Sequence, residues 1–177
     1  DGSTVETLDC TAGPVSEDLV IKAMVGREMA DRYPPRQPNI GETVFEIRNW
    51  NAYHPQRPER AFIQNINLQV RRGEIVGIAG LMGAGRTELA MSVFGRSWGN
   101  RISGEVLLHG KPTDVGTVEK AVRHGLAYVT EDRKGNGLVL AEDIQFNVSL
   151  ANLKGVSTAT VIDSGREHQV AQDYREK

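Results

Sequence analysis

Residues 73–94 read GEIVGIAGLMGAGRTELAMSVF. Glu74 to Ala79 is a short apolar run, the pattern of a strand buried on both faces. Glycines stand at 77, 80, 83 and 85. From Arg86 the apolar positions Leu89, Ala90, Val93 and Phe94 recur at helical spacing. Strand, glycine bend and helix in that order form a cradle for a phosphate. Amides unshielded by Cβ atoms converge there, and the positive end of the helix points into the hollow.

The phosphate-loop pattern is G-x-x-x-x-G-K-[ST], and residues 80–87 read GLMGAGRT. Gly80, Gly85 and Thr87 match, while Arg86 stands in place of lysine. The charge is kept and the geometry is not, because a guanidinium is a planar fork and an ammonium a compact point charge. Glu88 adds a carboxylate to the first helical turn. At about 5 Å and an effective dielectric of about 20, one carboxylate repels one phosphate charge by ~3 kcal/mol. A glycine-rich turn that binds nothing would show the same spacing. The reading adopted is a real but degenerate phosphate loop.

Outward from this stretch, Thr43–Trp50 and Ile63–Val70 alternate as strands, with a polar loop Asn51–Arg60 between them carrying Tyr53 and His54. Ser103–His109 reads as another strand, closed by Gly110-Lys111-Pro112. Thr117–His124 is a short helix stopped by Gly125. Leu126–Thr130 reads as a second buried strand, followed by the charged loop EDRKGNG, 131–137. Glu142 or Asp143 caps a helix through Leu153, and Asp163 or Ser164 opens a polar final helix. At the other end, Asp1–Leu8 is strand-like. Ser16 starts a helix reaching Ala30, with Leu19, Val20, Met24, Val25 and Met29 on one face. Prolines 34, 35 and 38 with Gly41 mark a linker at about 33–42.

The chain has 177 residues, ordinary apolar content and a formal charge of −2, which gives no electrostatic reason to expect nucleic acid. Cys10 is the one cysteine, in keeping with a reducing compartment. No apolar run approaches the ~18 residues of a membrane span, so any link to a membrane is expected to run through a partner.

Taken together, RRGEIVGIAG, GLMGAGRTEL and AYVTEDRKGNGL resemble the ATP-binding subunits of bacterial ABC importers for monosaccharides, the ribose, galactose, xylose and multiple-sugar group. SVFGRSWGNRISG is most similar to multiple-sugar systems. The resemblance implies an α/β fold: a partial P-loop NTPase domain of ABC type, with an antiparallel β-subdomain and the start of a parallel RecA-like core. It implies that 1–32 is the tail of a preceding nucleotide-binding domain, 33–42 a linker, and 43–177 the N-terminal half of a second such domain. The cofactors implied are ATP and Mg2+. Gly80, Gly83, Ala84, Gly85, Arg86, Thr87 and Glu88 would surround the phosphates. Thr87 would be a Mg2+ ligand, and Glu131, standing where related domains carry glutamine, a second. Tyr53 would stack on adenine, with Trp50 the alternate and a structural strand-end tyrosine the competing reading.

The implied partners are the transmembrane permease subunits, faced by the 131–137 loop, the opposing nucleotide-binding domain and, indirectly, a periplasmic or lipoprotein sugar-binding protein. The implied place is the cytoplasmic face of the membrane. Leu138–Asp143 imitates the apolar run with terminal acids that supplies a catalytic base in this superfamily, but its acids are in reverse order, and a strand and turn is the expected structure there. No catalytic residue is assigned, so the chain alone is expected to bind nucleotide weakly and not to hydrolyse it. The competing classes are a non-hydrolysing nucleotide-binding and docking module, and a small kinase of another phosphate-loop class.

Overall fold

The computed structural model describes residues 4–11, 13–26 and 36–177. The chain divides into two compact units, Asp1–Glu42 with Arg71–Ile75, and Thr43–Val70 with Val76–Lys177.

The first unit contains helix α1, Glu17–Val25. The Ser16 side chain accepts the Leu19 amide at its start, and Gly26, at φ 76°, stops it. The helix therefore ends short of the expected Ala30, and positions 27–30 lie outside the described residues. No α1 residue is buried. Residues 4–9 form no strand, although the sequence suggested one. Elsewhere in this unit the Arg72 amide donates to Glu42 (2.8 Å), the Gly41 amide to Arg72 (3.0 Å), and Arg36 to the Gly73 carbonyl (2.9 Å).

The second unit is built on a four-stranded sheet in the order β2-β1-β3-β4, with β1 Thr43–His54, β2 Arg57–Arg71, β3 Asn100–Leu108 and β4 Lys111–Pro112. The polar segment expected to be a 51–60 loop is mostly strand. Only Pro55-Gln56 separate β1 from β2, so Tyr53 and His54 belong to β1. Cross-strand pairing holds them there, since Tyr53 lies opposite Asn100 of the antiparallel β3. The register shifts between Arg48 and Asn51 and again before Tyr53. Asn49 takes a φ of 49° within the first of these shifts, and Asn65 of β2 a φ of 48°, a backbone region asparagine tolerates well. Neighbouring asparagines hold them: the Asn49 amide donates to Asn67 Oδ1, and the Asn65 amide to Asn51 Oδ1, both at 2.9 Å.

Helix α2, Arg86–Val93, packs Leu89, Ser92 and Val93 inward. Ile47, Trp50, Ile63, Leu89, Val93 and Val106 form the centre of the core, joined by Ala121 of helix α3, Val118–Arg123. After α3 come a π-helical turn, Arg133–Gly137, and helix α4, Ile144–Ser149, capped by Asp143. A 3-10 stretch kinked at Asn152 interrupts the helix expected to reach Leu153. The two-residue strands β5, Ser157–Thr158, and β6, Val161–Ile162, form a small hairpin before helix α5, Ser164–Glu176, which Asp163 caps.

The α/β class holds, but two strands of the expected parallel core do not form. Residues 74–79 and 126–130 are irregular, without ladder partners among the described residues. Ile75 is 79% exposed and Val129 93%. A strand buried on both faces needs neighbours at both edges and cover above and below, and neither segment joins the sheet that does form. Beside them lies an open apolar cavity of about 210 Å3 lined by Phe45, Leu68, Ile78, Val93 and Tyr128 among others.

Candidate phosphate-binding site

The glycine bend is open. Residues 80–84 are exposed, Gly85 is buried, and α2 begins at Arg86. The Ala84 amide turns inward, donating to the Leu81 carbonyl at 3.0 Å, and the first helical bond runs from Leu89 to Gly85 at 2.8 Å. The amides of Gly83, Gly85, Arg86, Thr87 and Glu88 have no acceptor among the described residues. No side chain caps α2 either. Free amides at the positive end of a helix are what a phosphate or carboxylate requires.

Two glycines give the bend its shape. Gly83 and Gly85 have φ of 79° and 87°, values that only glycine adopts without strain. At Gly85 a Cβ would also lie 3.1 Å from Phe62 Cε1 and 3.3 Å from Ile63 Cδ1. Strand β2 therefore supports the bend from below. At Gly83 there is nothing within 4 Å.

The side chains of the bend are exposed or half-buried. Arg86 reaches back to the Leu81 carbonyl through Nη2 at 3.4 Å. The Thr87 hydroxyl and the half-buried Glu88 carboxylate form no hydrogen bond or ion pair among the described residues. Glu131 lies exposed before the π-helical turn, and its carboxylate is likewise without such a partner there. Among the described residues no three His, Cys, Asp or Glu side chains are grouped to hold a metal ion.

The aromatic residues are sorted by the fold rather than by their place in the chain. Trp50 is 1% exposed and donates its indole N–H to Ser92 Oγ at 2.9 Å, so it is a core residue and not a stacking surface. Tyr53 has Arg101 over its ring at 5.9 Å. The ring that reaches the bend is Phe62, and it is clustered with His54 and Trp98. Phe62 supports Gly85, the Phe62 and Trp98 rings are 5.2 Å apart, and His54 meets both edge-on at 6.0 and 5.9 Å. A hairpin reading of Asn51–Arg60, with Pro55 at its turn, would have drawn attention to Phe62 from the sequence.

The ABC transporter family profile matches residues 63–175, a stretch that contains the bend and α2. The chain belongs to the ABC transporter family. Among the relatives of this ABC chain is an L-arabinose transport ATP-binding protein of Geobacillus stearothermophilus, 55% identical over the whole chain and 34% of that protein. A xylose import ATP-binding protein of Thermoanaerobacter pseudethanolicus is 44% identical over 90% of the chain and 31% of its own length. A ribose import ATP-binding protein of Bacillus subtilis is 40% identical over 94% and 32%. The chain thus spans about a third of the length of these relatives. In the ABC chain, no described helix is long and apolar enough to cross a membrane.

Proposed function

We propose that this chain is the nucleotide-binding portion of an ATP-binding subunit of a monosaccharide importer. The carrying observation is the open bend, with five amides free of internal acceptors at the start of α2. Gly80, Gly83, Ala84 and Gly85 shape the phosphate site, and the amides through Glu88 bind it. Arg86 neutralises part of the charge. The base lies against Phe62, the ring that reaches the bend at Gly85, with His54 packed edge-on behind it, while Tyr53, expected from the sequence to take this role, faces Arg101.

The donor set suits a hard cation shared with phosphate oxygens, in which protein supplies one or two oxygens and the nucleotide others. The Thr87 hydroxyl, and Glu131 if the loop brings it in, would hold Mg2+, which when bound neutralises phosphate charge. Glu88 opposes this: its unpaired carboxylate already occupies the positive end of the helix. Binding is therefore weak.

Turnover by the 177-residue chain alone is not expected. The acid-ended run Leu138–Asp143 is a turn, closed by the Glu142 amide on Val139 at 3.0 Å, and Asp143 caps α4 through the Phe146 amide at 2.8 Å. Engaged as a cap, Asp143 is no general base. The same turn bears on the proposed membrane partners. Leu138, Val139, Leu140 and Ile144 are exposed on it, and Asn147 locks it through Val139 and Asp143, which supports a protein partner at this end.

The test is calorimetric titration of the chain with MgATP and MgADP, alongside a phosphate-release assay. Saturable binding at roughly 0.1–1 mM without release is expected. Absence of any binding, or sustained release, would overturn the reading.

A further inference from the structure

Glu167, in the first turn of α5, is the one acidic side chain buried among the described residues, at 9% exposure. No ion pair reaches it among those residues. Both of its oxygens accept from neutral donors of α4: Oε1 from the Ser149 hydroxyl at 2.5 Å and Oε2 from Gln145 Nε2 at 3.1 Å. The other end of the Gln145 amide, Oε1, lies 3.1 Å from His168 Nδ1. We propose that Glu167 is a positioning residue. It orients Gln145 and His168 so that α5 holds α4, and with it the apolar turn 138–143, in one geometry. The proposal deepens the reading that this turn meets a protein partner, and its functional weight rests on that reading.

A carboxylate only accepts hydrogen bonds. The Gln145 amide therefore turns its NH2 group toward Glu167, which leaves its carbonyl oxygen for His168. That oxygen also only accepts, so in the neutral ring Nδ1 carries the proton and Nε2 is left as an acceptor. Gln172 Nε2 stands 3.4 Å from this acceptor, on the side where a donor is needed. Ser149 has a single hydroxyl proton. Its 2.5 Å contact with the carboxylate, within the range of a charge-assisted bond, takes that proton in preference to the Phe146 carbonyl at 3.1 Å.

The short helix carries this order outward. At six residues α4 is too short to be stable alone, so its position is set by what holds its sides. Gln145 and Ser149, one helical turn apart, share the side that meets Glu167. Asn147 is about 200° round the helix from each. It accepts the Val139 amide at 2.8 Å and donates to the Asp143 carbonyl at 2.8 Å. Thus α4 joins a buried carboxylate on one side to a turn exposing Leu138, Val139 and Leu140 on the other.

The experiment uses the isotope-labelled 177-residue chain. Proton–nitrogen correlations of the imidazoles are recorded by NMR at about pH 8.5, where histidine is ordinarily neutral. A His168→Gln control identifies the ring among the four histidines. The Nδ1–H tautomer is expected for His168. Glu167→Gln puts a donor at 167, frees Gln145 to turn over, and should move the His168 ring toward Nε2–H. Glu167→Leu, which removes both acceptors, should speed hydrogen exchange at Val139 and Asn147 about tenfold and leave the α2 and β1 amides unchanged. If the leucine variant does not fold, exchange is read in Glu167→Gln, with the same direction expected. An Nε2–H ring in the unsubstituted chain, a tautomer indifferent to Glu167→Gln, or exchange rising equally in α2 and β1 would overturn the proposal. No partner takes part in these measurements, so they succeed or fail independently of the docking reading.

Discussion

The indole N–H of Trp50 donates to Ser92 Oγ at 2.9 Å, and that hydroxyl in turn donates to the Leu89 carbonyl at 2.8 Å. Both side chains are buried, Trp50 at 1% and Ser92 at 0% exposure. This polar link through the core ties strand β1 to the last turn of α2, the helix that follows the glycine bend. Ser92→Ala leaves the buried indole N–H without an acceptor. A loss of ~1–3 kcal/mol is expected, measured as a lower midpoint in urea denaturation with an unchanged slope.

Gly83 and Gly85 share a left-handed backbone but differ in surroundings. Alanine at 83 adds only the backbone penalty, ~1–2 kcal/mol, because open space surrounds it. Alanine at 85 adds crowding against Phe62 and Ile63. Gly85→Ala should therefore destabilise more than Gly83→Ala in paired denaturation curves. It should also abolish the phosphate-induced shifts of the 86–88 amides.

Glu88 is the residue that opposes an anion at the bend. Glu88→Gln should tighten MgATP at least about tenfold, a part of the ~3 kcal/mol unscreened repulsion. The gain should shrink as salt is raised. An unchanged dissociation constant in calorimetry would remove Glu88 from the phosphate site.

Asn147 holds the 138–143 turn by accepting the Val139 amide at 2.8 Å and donating to the Val139 and Asp143 carbonyls at 3.1 and 2.8 Å. Asn147→Ala should speed hydrogen exchange at Val139 by about tenfold or more, the equivalent of ~1.4 kcal/mol of lost protection. Exchange at the α2 amides should not change.

The Lys120 ammonium beside Asp114, followed by the Gly116 amide, holds the Asp114 carboxyl below the usual aspartate value. The unfolded chain therefore takes up this proton at higher pH than the folded one. The pair's contribution is complete above about pH 3.9 and is lost as pH falls through the lower folded value. Asp114→Asn should flatten that part of the acid limb, read as urea midpoints between about pH 5 and pH 2.5.

Local signals were legible in the chain. Ser16, Thr117, Asp143 and Asp163 each cap the helix that follows through a side-chain oxygen, because capping depends on residues three positions apart. The start of α2 at Arg86, after a glycine-rich turn, was legible for the same reason. The strands at 74–79 and 126–130 were not. Their apolar composition fits a buried strand, but a strand exists only through its ladder partners, which no local pattern supplies. The surroundings of the aromatic rings were not legible either, for a different reason. Alternation along 43–54 would set each ring's side of the sheet, but the shifts around Asn49 and Asn51 break that count.

The sequence by itself determined that a glycine bend leads into helix α2, since glycine spacing and a helix start are properties of neighbouring residues. Only the tertiary structure decided what stands around that place. It buried Trp50 against Ser92, turned Tyr53 toward Arg101, brought Phe62 beneath Gly85, and set Arg96 over the Trp50 ring. Those outcomes follow from strand register and bulges, which are settled by pairing between segments far apart in the chain.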